Sequence, residues 1–191
     1  REAVDVSFNM VTIDGETSPN DTVLILANGV AGTVEEGTGE AEAFQAVLTE
    51  VCTYLARRVA GDGEGATRLI EVTVDGALTL ADARAAARTI ASSPLVKAAV
   101  HGCDPNWGRI VAALGHSGVE IDGSRIDLFL NNICLVAGGS LNPFDREEVR
   151  AVMMWAEVPI RVCLNLGDCA ATAWGCDLSA EYVTINSEYT T

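Results

Sequence analysis

The sequence predicts a layered α/β (α+β) protein built on mixed β-sheets, and three observations carry that prediction. Residues 40–60 place Phe44, Val47, Leu48, Val51, Tyr54, Leu55 and Val59 at a helical period. Residues 68–75 alternate strictly, with Ile70, Val72 and Val74 on one face and Glu71, Thr73 and Asp75 on the other, as a half-buried strand does. Strand and helix patterns both alternate and cluster along the chain, which fits a sheet of mixed direction covered by helices.

In chain order, residues 1–8 read as the last turns of an amphipathic helix, as expected of a fragment or of one product of a processed precursor. Residues 9–14 and 21–28 read as strands. The second contains Thr22-Val23-Leu24-Ile25-Leu26-Ala27, too continuously apolar for a wet face, and predicts a buried sheet position. The loop between them, 15–21, is dense in hydroxyls and carboxylates. Residues 29–39 form a Gly/Thr/Glu-rich connector before the helix at 40–60, and Gly61-Asp62-Gly63-Glu64-Gly65 ends that helix in a loop. Thr79 with Asp82 resembles a capping box and opens a helix through Ala91 that Pro94 stops. Strands at 125–130 and 133–137 flank Asn131-Asn132, a hairpin signal. Asp145 with Glu148 caps a helix to about Trp155, strands follow at 158–166 and 170–176, and a short helix or turn runs from Ser179 to Thr191.

Length and composition bound the function. The 191 residues make one domain-sized piece, and 49% apolar residues suffice for a core. A net charge of −15, with Lys97 the only lysine, argues against nucleic acid or an anionic membrane as partner, since both need clustered cations. Six cysteines without a Cys-x-x-Cys pair, and two histidines, give no zinc pattern and no dense disulfide framework. No metal site is predicted, and a reducing cytoplasm is the expected location.

The catalytic inventory is thin. No Gly-x-Ser-x-Gly elbow and no phosphate loop occurs. His101 and His116 each have an apolar flank and read as buried or capping residues. Glu64 is one suggestive carboxylate on a glycine-rich loop, and a solvated loop charge is its plain alternative. The polar knot Asp104-Pro105-Asn106-Trp107-Gly108-Arg109, between two apolar runs, reads as a packed corner beside the site. Trp107 would be its buried plug and Arg109 would bond loop carbonyls or a carboxylate.

That knot, with the following Ile110-Val111-Ala112-Ala113-Leu114-Gly115, resembles the signature of the bifunctional ornithine acetyltransferase / N-acetylglutamate synthase family. Three further stretches agree in order: Ile13 to Thr22, Glu64-Gly65-Ala66-Thr67, and Ala180 to Tyr189. The resemblance covers essentially the whole chain and implies the fold of the DmpA/ornithine acetyltransferase-like N-terminal-nucleophile proteins. It implies a precursor that cuts itself at an Ala-Thr bond, with the new N-terminal threonine as nucleophile and its own amine as general base. That threonine takes acetyl from N-acetylornithine and passes it to glutamate; some members also use acetyl-CoA, and no cofactor is implied. This sequence resembles the second (beta) chain from about twenty residues after that threonine, so no catalytic residue is assigned within it. Three binding positions carry over: Glu64, expected at the substrate's α-amino end, Asn186 and Thr191. The implied partner is the N-terminal (alpha) chain of the same precursor, in a heterodimer that pairs into a heterotetramer. An N-terminal-nucleophile aminopeptidase or amidase, and a non-catalytic assembly domain, are the competing readings.

Overall fold

The computed structural model describes residues 1–188. The order of elements is α1 (Glu2–Asp5), a 3-10 turn (Phe8–Met10), α2 (Gly39–Gly61), β1 (Leu69–Ala77), α3 (Leu80–Ser92), α4 (Pro94–His101), α5 (Trp107–Gly115), β2 (Asp127–Leu130), β3 (Ile133–Ala137), β4 (Ser140–Leu141), α6 (Arg146–Met153), β5 (Glu157–Cys163), β6 (Cys169–Cys176) and α7 (Ala180–Glu188). The strands form one six-stranded sheet in the order β4-β3-β2-β5-β1-β6. β1 and β5 run parallel and their other pairings are antiparallel, so the sheet is mixed as the sequence predicts.

The alternation in β1 decides which face the helices take. Ile70, Val72 and Val74 are fully buried and share one cluster with Ala83, Ala86, Ala87, Ile90 and Ala91 of α3. Alanines on that face of α3 let the helix approach the sheet closely, which favours dense packing of the branched strand side chains. On the other face Glu71 accepts hydrogen bonds from Arg57 of α2 and from Trp174 Nε1 of β6, the latter at 2.9 Å. The capping predictions hold: Thr79 Oγ1 accepts from Asp82 N at 3.1 Å, and Asp145 Oδ1 accepts from Glu147 N at 2.8 Å. Each supplies an acceptor to a first-turn N–H that has no partner within the helix. Asn131 takes φ 56° at the β2–β3 turn, which asparagine tolerates better than most residues.

The structure corrects three expectations. Residues 9–14 and 21–28 are not strands: Val11 makes a single bridge to Trp174, and 21–28 has no regular secondary structure and no sheet partner. Leu24 is 79% and Leu26 92% exposed. The apolar pattern is that of a buried strand, but a strand forms only where a neighbour supplies the ladder, and the described residues supply none. The second correction concerns α2, where the periodic residues Phe44, Val47, Val51, Tyr54, Leu55 and Val59 are 45–63% exposed while Cys52, Ala56 and Ala60 are buried. Periodicity locates a stripe but does not say which stripe meets the sheet.

Pro94 does more than stop α3, since it is also the first residue of α4, where a missing N–H costs nothing. Trp107, finally, is half-buried rather than buried: it packs against the core at the first turn of α5 and lines an open cleft of about 440 Å³ with Phe144 and Arg146. Arg109 behaves as expected, its Nη1 donating to the Leu95 carbonyl at 3.1 Å.

Candidate functional site

The loop between α2 and β1 carries Glu64, and α7 carries Asn186. The two lie 122 residues apart in sequence, yet Asn186 Nδ2 donates to Glu64 Oε2 at 2.7 Å. The same Nδ2 donates to Tyr182 O at 3.0 Å, one helical turn back. With both amide hydrogens so directed, the Asn186 carbonyl oxygen and Glu64 Oε1 have no hydrogen-bond partner among the described residues and are available as acceptors. Among the described residues no lysine or arginine pairs with Glu64. A carboxylate and a carbonyl oxygen together suit a donor with several hydrogens, such as an ammonium, and either one alone can accept from an amide N–H. Thr191 lies outside the described residues.

The glycines of the Glu64 loop are steric requirements. Gly65 has φ +66°, and a Cβ there would sit 2.6 Å from Tyr182 N. At Gly63 a Cβ would sit 2.7 Å from Cys176 Sγ. Any larger residue would therefore push the loop away from α7 and β6 and separate Glu64 from Asn186. Ser179 Oγ completes the contact, donating to Gly65 O at 2.6 Å and accepting from Tyr182 N at 3.3 Å.

The 13–16 loop borders the same place. Tyr182 Oη donates to Asp14 Oδ2 at 3.4 Å. Burial, then the Asp14 carboxylate, hold the Tyr182 hydroxyl above the usual phenol range, so it stays a donor. Below the loop, Lys97 is 3% exposed; its Nζ donates to the Ile13 carbonyl and lies 3.6 Å from Cys176 Sγ. Burial raises the Cys176 thiol although Lys97 opposes it, so the thiol is a poor nucleophile.

One buried, hydrogen-bonded carboxylate was not singled out by sequence reasoning. Asp177 follows β6, and its side chain is fully buried. Oδ1 accepts from Thr67 N at 2.7 Å and Arg68 N at 2.8 Å; Oδ2 is 2.6 Å from both Thr67 Oγ1 and His101 Nδ1. Burial pushes this carboxyl up, but the hydrogen bonds from the Thr67 and His101 side chains and from the Thr67 and Arg68 amides outweigh it and hold the group below the usual range. The available signal was positional: a carboxylate at the end of a strand, where scaffolds present functional groups. His101, read as buried or capping, instead lies in the last turn of α4 with its side chain 40% exposed and reaches Asp177. Among the described residues no group of three or more His, Cys, Asp or Glu side chains is placed to hold a metal ion, and no helix is long and apolar enough to cross a membrane.

The fold is that of the layered α/β class to which ornithine acetyltransferase-like, N-terminal-nucleophile-type proteins belong. A crystal structure of arginine biosynthesis bifunctional protein argJ from Bacillus halodurans matches with a TM-score of 0.95 at 40% identity, covering 98% of this chain and 90% of that one. The ArgJ family model matches residues 1–191, and the chain belongs to the ArgJ family. Among curated relatives, the arginine biosynthesis bifunctional protein ArgJ of Dehalococcoides mccartyi (strain CBDB1) is 52% identical over 193 residues, and that of Symbiobacterium thermophilum is 51% identical over 193. Each alignment covers 100% of this chain and 48% of the relative. A chloroplastic ArgJ of Oryza sativa subsp. indica is 48% identical over 199 residues. The chain thus spans about half the length of the curated relatives it matches.

Proposed function

We propose that this chain is the C-terminal (beta) chain of a glutamate N-acetyltransferase of arginine biosynthesis, moving acetyl from N-acetylornithine to glutamate through an acetyl-threonine intermediate. The observation that carries the reading is the 2.7 Å contact between Glu64 and Asn186, which brings an acidic and an amide side chain from distant parts of the sequence together in a chain of the ArgJ family.

The chemistry runs in two halves. The hydroxyl of the beta chain's N-terminal threonine, upstream of Arg1, attacks the acetyl carbonyl; the C–O bond forms, the C–N bond breaks, and ornithine leaves with the proton on its α-nitrogen. The α-amine of glutamate then attacks the acetyl ester, forming N-acetylglutamate and freeing the threonine. Glu64 and Asn186 accept from the nitrogen that loses acetyl in the first half and gains it in the second, with Thr191 completing the set. One acceptor pair can serve both because an amide N–H and an ammonium are both donors. Acetyl-CoA is a further acetyl donor to glutamate in this reading, and no cofactor takes part.

The uncovered apolar elements support a partner. The 22–27 segment and the outer stripe of α2 expose Leu24, Leu26, Phe44 and Tyr54, an apolar surface of the kind that marks an interface. An alpha chain from the same precursor covers it, and such heterodimers pair into a heterotetramer. The six free thiols suit a reducing, cytoplasmic setting.

The test is isotopic. The full-length protein is incubated with N-acetylornithine labelled in the acetyl group and with unlabelled glutamate. Label in N-acetylglutamate, with a transient acetyl adduct on the protein, is the expected result. Release of labelled acetate alone would identify a hydrolase and refute the transferase reading.

A further inference from the structure

We propose that Asp177 is the positioning residue that sets Glu64 and Asn186 against each other; this rests on the reading of that pair as a substrate site. α7, which carries Asn186, has no fully buried residue, so the core grips it only weakly. The hydrogen bonds that tie it to the rest of the fold run from Tyr182 N to Ser179, from Tyr182 Oη to Asp14 and from Asn186 to Glu64. Asp177 binds the end of the Glu64 loop through two backbone amides and the Thr67 hydroxyl, and binds α4 through His101. Two residues further on, Ser179 binds Gly65 O and the first turn of α7.

One short segment, 177–182, therefore fastens both elements of the pair. A carboxylate withdrawn from water is costly unless its lone pairs are filled, and here four donors fill them. That saturation makes the arrangement specific: moving the loop or the strand end by about an ångström would strand a buried charge. Asp177 itself is enclosed beneath the loop, so it acts through Glu64 and Asn186 and not on the substrate.

The experiment compares the full-length protein with Asp177→Asn, which keeps the shape but presents an N–H₂ where the carboxylate accepted. Expected are a KM for glutamate raised about tenfold or more, because displacement of a positioning group by an ångström has effects of that size or larger. Turnover of p-nitrophenyl acetate, which has no amino-acid end, should stay close to wild type. Amide exchange should quicken at 63–68 and 180–188 and not in β1 or α3. An unchanged KM, or an equal loss on both substrates with a general rise in exchange, overturns the proposal. Should Asp177→Asn fail to fold, Ser179→Ala, which removes only the second fastening, must raise the same KM to a smaller degree, and an unaltered KM there overturns it too. A wild-type protein that transfers no acetyl to glutamate would refute the function; the exchange comparison would still decide the positioning.

Discussion

Replacing Glu64 with glutamine removes the charge from the candidate site while keeping its outline. In the structure Glu64 Oε2 accepts from Asn186 at 2.7 Å, and a glutamine carbonyl can accept the same bond. What is lost is the negative acceptor offered to the ligand nitrogen. A hydrogen bond between charged groups contributes about 1.5–3 kcal/mol, so binding of glutamate, an ammonium donor, should weaken roughly tenfold to a hundredfold. N-Acetylornithine offers a neutral amide N–H at the same position, where the loss is nearer 0.5–1.5 kcal/mol, or about twofold to tenfold. Glu64 lies exposed on a loop, so stability should change by less than about 0.5 kcal/mol. Initial-rate kinetics with each substrate varied, beside a thermal melt, reads all three quantities. An unchanged KM for glutamate, or an equal rise for both substrates with a lowered melting temperature, would refute the reasoning.

Three further perturbations test other parts of the account. Trp107→Ala should cost about 3 kcal/mol, the low end for aromatic truncation, because the ring packs against the core but is only half-buried; denaturant unfolding of the full-length protein measures it. Asp177 has its carboxyl lowered in the fold, so its stabilisation is complete above the ordinary aspartate value of about 3.9 and is lost as pH falls through the lower folded value. Asp177→Asn should therefore lack that acid-side loss, as unfolding midpoints between roughly pH 5 and pH 2 would show. Leu26→Asp, at a side chain 92% exposed here, should leave this chain alone within about 0.5 kcal/mol of its starting stability but should destabilise the full-length protein, whose second chain is proposed to cover it.

The sheet was legible wherever one strand announced its own burial. The Ile70-Val72-Val74 alternation, the Asn131-Asn132 turn and the Thr79 and Asp145 caps are local signals, and local physics satisfies them. The 22–27 run was legible as apolar but not as unpaired, because pairing is a property of a neighbour and not of the run itself. The stripe on α2 misled for the same reason: small residues at Ala56 and Ala60 won the sheet while larger ones stayed outside. At the site, Glu64 and Asn186 were named through family resemblance, and their contact across 122 residues is not written in either local sequence. Asp177 was missed because a single aspartate after a strand resembles any polar strand end until its four donors are seen.

The measurement closest to the central claim is a structure of the full-length protein with glutamate bound. The ligand's α-nitrogen is expected within about 2.7–3.2 Å of both a Glu64 carboxylate oxygen and the Asn186 carbonyl oxygen. Glutamate bound elsewhere, or Glu64 and Asn186 drawn apart with no ligand nitrogen between their acceptors, would contradict that claim.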